Sequence, residues 1–201
     1  MSNTRTLALI LAALIASALW LHAQRPVSHP PGIIAPDIPG QGDIDGAAHP
    51  LRKKDIAITP LATFSITARV LSRADYHWDT VAAISPTDLA LGWGRMSDTA
   101  VLDKIEIWQS VRFYNWRVRE FPIPEREIIE SSANMHLIPA DSSVARAIDH
   151  VKQGDVVSFE GYLIEARWPN GGIMRSSLTR SDSGAGACEV VWVEHLSIAP
   201  R

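Results

Sequence analysis

Hydrophobic and polar positions divide the chain into three stretches. Between Arg5 and Arg25 the run TLALILAALIASALWLHA carries no charge and is built largely from Leu and Ala. As a helix it reaches about 27 Å, slightly short of a hydrocarbon core of roughly 30 Å. Trp20 and His22 fall near its end, where amphipathic rings settle in a bilayer. Residues 1–24 are therefore expected as a transmembrane anchor, with residues 6–23 in the membrane, the N-terminus inside and the following domain outside the cytoplasm. The small triplet Ala16-Ser17-Ala18 supports the alternative of a cleaved secretory signal, which would leave a secreted or periplasmic protein.

The pattern breaks at Arg25. Six of the 13 prolines and four of the 12 glycines lie between Arg25 and Pro50. Each Pro fixes φ, removes a backbone donor and restrains the residue before it, so neither a helix nor a central strand is expected there. Residues 25–54 read as a semi-rigid spacer. Residues 55–201 have the length of one domain with its own core.

Within that domain, Phe64, Ile66, Ala68 and Val70 alternate with Ser65, Thr67 and Arg69, the period of a half-buried strand. The same reasoning covers Ile105 to Val118, Val156 to Trp168, Ile173 to Thr179 and Cys188 to Leu196. Pro169-Asn170-Gly171-Gly172 is suited to join two of these as a hairpin. Ser85-Pro86-Thr87-Asp88 before Leu89-Ala90-Leu91-Gly92 has the cap, the Pro and the stop of a short helix. Asp98 to Ile105 holds a further short turn. Asp141 or Ser142 caps a helix to Val151 that buries Val144, Ile148 and Val151, with Gly154 ending it. The fold class expected is α+β: one β-rich domain of about five strands with a few short helices. A partly open OB-like barrel is the preferred arrangement, and an open sheet with helices on one face the alternative.

Charge narrows the partners. From Asp55 onward 14 Lys and Arg face 19 Asp and Glu with both signs interspersed, which leaves no basic footprint for nucleic acid. One cysteine, Cys188, excludes an intramolecular disulfide framework. Asp75, His77 and Asp79 share one face of an extended segment, but no further group with ligand spacing accompanies them, so neither a metal nor another cofactor is expected. Tyr76 and Trp78 on the other face read as packing. Trp108, Phe113, Tyr114 and Trp116 read first as core, although such a series also suits stacking on sugars or peptides.

Chemistry concentrates in two polar clusters, residues 131–139 and 176–189. Cys188 becomes a nucleophile only with a base beside it, and His136 or His195 is the candidate. Asn134 or Asp182 would orient the imidazole, and Arg180 is a further partner. The competing reading makes Cys188 a small buried residue in line with Val190 and Trp192. Arg180, Asp182 and Ser183 sit in a Gly-rich loop whose amides suit an anionic ligand, although the composition is first that of a turn. Ser176 and Ser177 read as strand hydroxyls.

The stretches YHWD, SPTDLALGWGRMSD, SSANMHLIPA, VKQGDVVSFEGYLIEA and SSLTRSDSGAGACE resemble those of a family of bacterial envelope proteins without assigned activity. The resemblance spans most of Asp75 to Val193, implies a secreted or membrane-anchored domain, and transfers no catalytic residue. Two functions are thus expected as alternatives. One is a non-enzymatic, membrane-tethered extracytoplasmic domain that binds an envelope protein partner or serves envelope assembly. The other is a thiol-dependent envelope hydrolase or transpeptidase using Cys188 and a histidine.

Overall fold

The computed structural model describes residues 10–11, 25–45, 51–179 and 188–201. Of the expected anchor only residues 10–11 are included, both helical, and the rest of 1–24 lies outside the described residues. Among the described residues no helix is long and apolar enough to cross a membrane.

The strands are β1 (Gly40–Gly42), β2 (Leu51–Lys53), β3 (Ile56–Asp75), β4 (Thr87–Gly92), β5 (Ile105–Ser110), β6 (Phe113–Val118), β7 (Ser132–Pro139), β8 (Val156–Arg167), β9 (Ile173–Arg175) and β10 (Glu189–Ile198). Three short helices accompany them among the described residues: α1 (Thr99–Leu102), α2 (Glu125–Glu130) and α3 (Ser142–Asp149). The domain is β-rich with a large mixed sheet, in keeping with α+β.

β3 organises the sheet. Its residues from Ala57 to Arg69 pair antiparallel with β8, and those from Arg69 to Asp75 pair with β4. Bulges between Pro60 and Ala62 and between Val70 and Ser72 let so long a strand bend through both pairings. β4 continues to β7, β7 runs parallel to β10, and β10 pairs with β8, so the path β3-β4-β7-β10-β8 returns to β3. Phe64, Ile66, Leu89, Leu137, Phe159 and Val191 fill the inside. Val144 and Ile148 of α3 join the same cluster, and Asp141 caps that helix by accepting from the amides of Ser143 and Val144. Each such side chain contributes about 1.5–3 kcal/mol of burial.

Strand periods were legible where one face meets solvent and misleading elsewhere. Residues 85–92 form no helix: Thr87–Gly92 is β4, buried at every position, so packing on both faces overrides the local capping signals. Ile105 to Val118 is not one strand but the hairpin β5–β6, whose turn residues Val111 and Arg112 have φ of 49° and 68°. Neither is a residue that favours that region, and a β-branched side chain there is strained. Ser132–Pro139, read as a polar cluster, is β7. Trp78 does not pack: it is 97% exposed.

The Pro- and Gly-rich segment lies along the domain. The Val27 amide donates to Gln153 O at 2.8 Å, the amides of Ile34 and Ala35 to Ser97 Oγ at 3.1 Å each, and β1 pairs with β3. Gly154 has φ of 89°, and a Cβ there would stand 2.0 Å from the Val27 carbonyl oxygen, so only glycine admits the strap.

Candidate functional site

In the ring, β4, β7 and β10 are neighbours, and the register sets Asp88 opposite His136 and His136 opposite Val190. Cys188 immediately precedes β10, two residues before Val190 and on its face. Asp88, Asn134, His136 and Cys188 thus share the outer face of three adjacent strands. Two apolar clusters flank them there, one containing Ile84, Ile138, Val190 and Trp192, the other Ala90, Ile105, Ile123 and Ile128. Their polar groups sit in a mostly dry seam between these clusters.

His136 lies between the other two ionisable members. Its Nδ1 is 2.9 Å from Oδ1 of Asp88, an ion-pair distance, although the N–H points off the line of a hydrogen bond to that oxygen. Burial would lower the imidazole pKa, but the close carboxylate of Asp88 and the sulfur of Cys188 outweigh it and raise the value from 6.5 to about 9. The ring is therefore an imidazolium at neutral pH. Cys188 is only half-buried. The reading of Cys188 as a buried packing residue does not describe this environment, since a cationic ring and two polar groups stand next to the sulfur.

Because the folded-state value of His136 lies above the ordinary one, the ring adds stability that is complete below pH 6.5 and lost as the pH rises through about 9. A shift of this size corresponds to on the order of 3 kcal/mol. Urea unfolding below and above that window is expected to show the loss, and His136→Gln should remove it. An unchanged pH dependence in the variant would put the charge elsewhere.

The hairpin β5–β6 covers the seam. Arg112 at its tip donates from Nη1 to Asp88 Oδ1 and to the Ser85 carbonyl, both at 2.9 Å, and from Nε and Nη2 to Asp79 at 3.0 and 2.8 Å. Its guanidinium carbon stands 3.9 Å from the centroid of the Tyr76 ring, and its amide donates to Tyr76 Oη at 3.1 Å. The Arg112 carbonyl receives Asn134 Nδ2 at 3.1 Å and faces Sγ of Cys188 at 4.0 Å. The strained turn thus places both ends of one residue in the site.

Asp88 and Arg112 escaped the sequence reading. In the sequence Asp88 reads as a helix start and Arg112 as the middle of a strand; the pairing of β4 with β7 brings in Asp88, and the turn of the β5–β6 hairpin brings in Arg112. Asn134 does not orient the imidazole, since its amide is bound to Arg112 and Gln109, and Asp88 takes that place. His195 is exposed, pairs with Glu160 across β8, and makes no bond to Cys188. Arg180, Asp182 and Ser183 lie outside the described residues. Asp75 binds Arg73 and Thr87, and Asp79 binds Arg112, so both carboxylates of the Asp75, His77, Asp79 series are engaged. Among the described residues no group of three or more His, Cys, Asp and Glu is arranged to hold a metal ion.

No protein-family model matches the chain, and neither a curated protein nor a solved structure is similar to it.

Proposed function

We propose that the outer face of this domain is a cysteine-dependent acyl-transfer site of the hydrolase or transpeptidase class. One observation carries the reading: three adjacent strands set Cys188, His136 and Asp88 side by side, with the imidazole between thiol and carboxylate. Cys188 is the nucleophile, His136 the acid and base, and Asp88 the group that orients the ring. The sulfur bonds to a carbonyl carbon while its proton rests on His136. Collapse of the tetrahedral adduct expels an amine or alcohol that takes this proton. The thioester left behind passes its acyl group to water or to a second amine.

The test uses full-length protein and p-nitrophenyl acetate. A burst of p-nitrophenol with acetylation of the peptide containing Cys188 is expected, and Cys188→Ala should abolish both. Alkylation by iodoacetamide without any acylation would sink the acyl-transfer reading. A pure binding role would then be favoured, for which Trp78 and Val111, 97% and 81% exposed beside the site, offer a contact surface.

The scaffold is read as an OB-like barrel. Support comes from the circular strand path, from a single parallel pair among the described residues, β7 with β10, and from helix α3 placed between the third and fourth strands of the ring. The uncharged run at residues 6–23 supports a membrane-tethered domain outside the cytoplasm. A reporter enzyme fused after Pro50 that works only in exported form is expected to be active. Activity of a cytoplasm-only reporter at that position would reverse the topology.

A further inference from the structure

One side-chain amide lies beside the thiol and a second lies behind the first, and neither belongs to the row of Cys188, His136 and Asp88. Asn134 is two residues from His136 on the same face of β7 and is buried. One Nδ2 proton goes to the Arg112 carbonyl at 3.1 Å, and the same nitrogen reaches Sγ of Cys188 at 3.9 Å. An isolated amide can turn either end toward the sulfur. Here two groups decide together: the Arg112 carbonyl, which only accepts, and Gln109 on β5, whose Nε2 donates to Asn134 Oδ1 at 2.7 Å and lies 3.5 Å from the Asp88 carbonyl.

Both neighbours of that Gln109 nitrogen are acceptors, which leaves its amide one sensible orientation. Its Oε1 is then buried with no hydrogen-bond partner among the described residues. An unmet acceptor is a standing cost, and an apolar side chain at position 109 would avoid it. What the cost secures is the direction of the next amide. Asn134 is locked with its nitrogen toward the sulfur and its oxygen away.

We propose that Asn134 is the oxyanion donor of this site and that Gln109 is the positioning residue holding its amide in the donating orientation, a role that rests on the acyl-transfer reading of Cys188. As Sγ bonds to the carbonyl carbon, the π pair of the carbonyl moves onto its oxygen. The second Nδ2 proton of Asn134 donates to that oxyanion in a seam where water competes poorly. When the bond to the leaving group breaks, the pair returns to form the thioester carbonyl, and the departing atom takes the proton from His136.

Two reagents separate this role from simple packing. Iodoacetamide attacks the thiol through a saturated carbon and builds no oxyanion, whereas p-nitrophenyl acetate acylates it through one. In full-length protein, Gln109→Glu replaces the donor by a carboxylate that only accepts, so it draws the Asn134 amide nitrogen toward itself and away from the sulfur, against the hold of the Arg112 carbonyl. That variant and Asn134→Ala are each expected to slow acylation by about 10²-fold or more, the usual loss for one such donor, while alkylation stays close to the parent rate. If Gln109→Glu does not fold, Gln109→Met, of similar size and without a donor, takes its place. A parallel fall in both rates would make the two amides part of the packing and overturn the proposal, as would an unchanged acylation rate. A parent protein that is alkylated but never acylated would overturn the acyl-transfer reading, and this proposal with it.

Discussion

Replacing His136 with glutamine is expected to slow acylation of Cys188 by p-nitrophenyl acetate by about 10²- to 10⁴-fold, the range that general acid–base catalysis supplies. Glutamine retains a polar side chain of comparable length but can neither hold a proton beside the sulfur nor give it to the leaving group. The ring it replaces is buried, paired with Asp88 and held as the cation at neutral pH. The pH profile of the remaining rate should also change, since the group that loses its proton near pH 9 is gone. A variant that acylates as fast as the parent would show Cys188 to be an ordinary surface thiol, and the row of side chains beside it to be structural.

Removing Asp88 is expected to cost stability before it costs chemistry. Its side chain is 0% exposed and lies 2.9 Å from both Arg112 Nη1 and His136 Nδ1. Asp88→Ala leaves two cationic groups in an apolar seam without their shared counter-charge, and truncating one partner of such a buried pair typically costs about 3–5 kcal/mol. Asp79, the other carboxylate on Arg112, has a side chain 40% exposed, so solvent screens that contact, and Asp79→Ala should cost no more than about 1 kcal/mol. Urea unfolding of the two variants at neutral pH makes the comparison. Equal losses would mean that the hairpin is held by its apolar contacts and not by the buried carboxylate.

The two variants probe residues of very different legibility. The thiol and His136 stood out in the sequence because a lone cysteine near a polar cluster attracts attention. Asp88 did not, because Ser85-Pro86-Thr87 before an acid looks like the first turn of a helix. Local signals favour that turn, but Leu89 and Leu91 belong inside the ring while Asp88 and Ala90 face the hairpin, and burial on both sides leaves no polar alternation to read. β7 failed for a related reason. Its outer positions carry Asn134 and His136, which look solvent-facing but are covered by β5–β6. The hairpin itself was invisible because its turn holds Val111 and Arg112 where Gly, Asn or Asp would announce it.

Strands with one wet face over at least part of their length behaved as the pattern demanded. β8 and β10 have nearly the limits that their alternation predicts, β3 extends well beyond both ends of the Thr63 to Leu71 alternation, to Ile56 and Asp75, and α3 has the expected cap and the expected buried Val144 and Ile148. Such elements build the scaffold, whose rule is a simple one of inside and outside. The candidate site lies where that rule is broken, on a face that is polar and enclosed at once. This explains why the scaffold was more legible than the site it carries.

The place of β10 has a consequence for timing. It slots between β7 and β8, and Cys188 stands at its entry, roughly a hundred residues along the chain from Asp88. Contacts so distant in sequence form late, because the entropy of closing the intervening chain must be met before they contribute. During synthesis β3, β4, β7 and β8 emerge first and leave β7 and β8 as two unpaired sheet edges, a state open to wrong partners. The same strand that seals those edges delivers the sulfur. A chain caught partway through folding therefore holds Cys188 apart from His136 and Asp88.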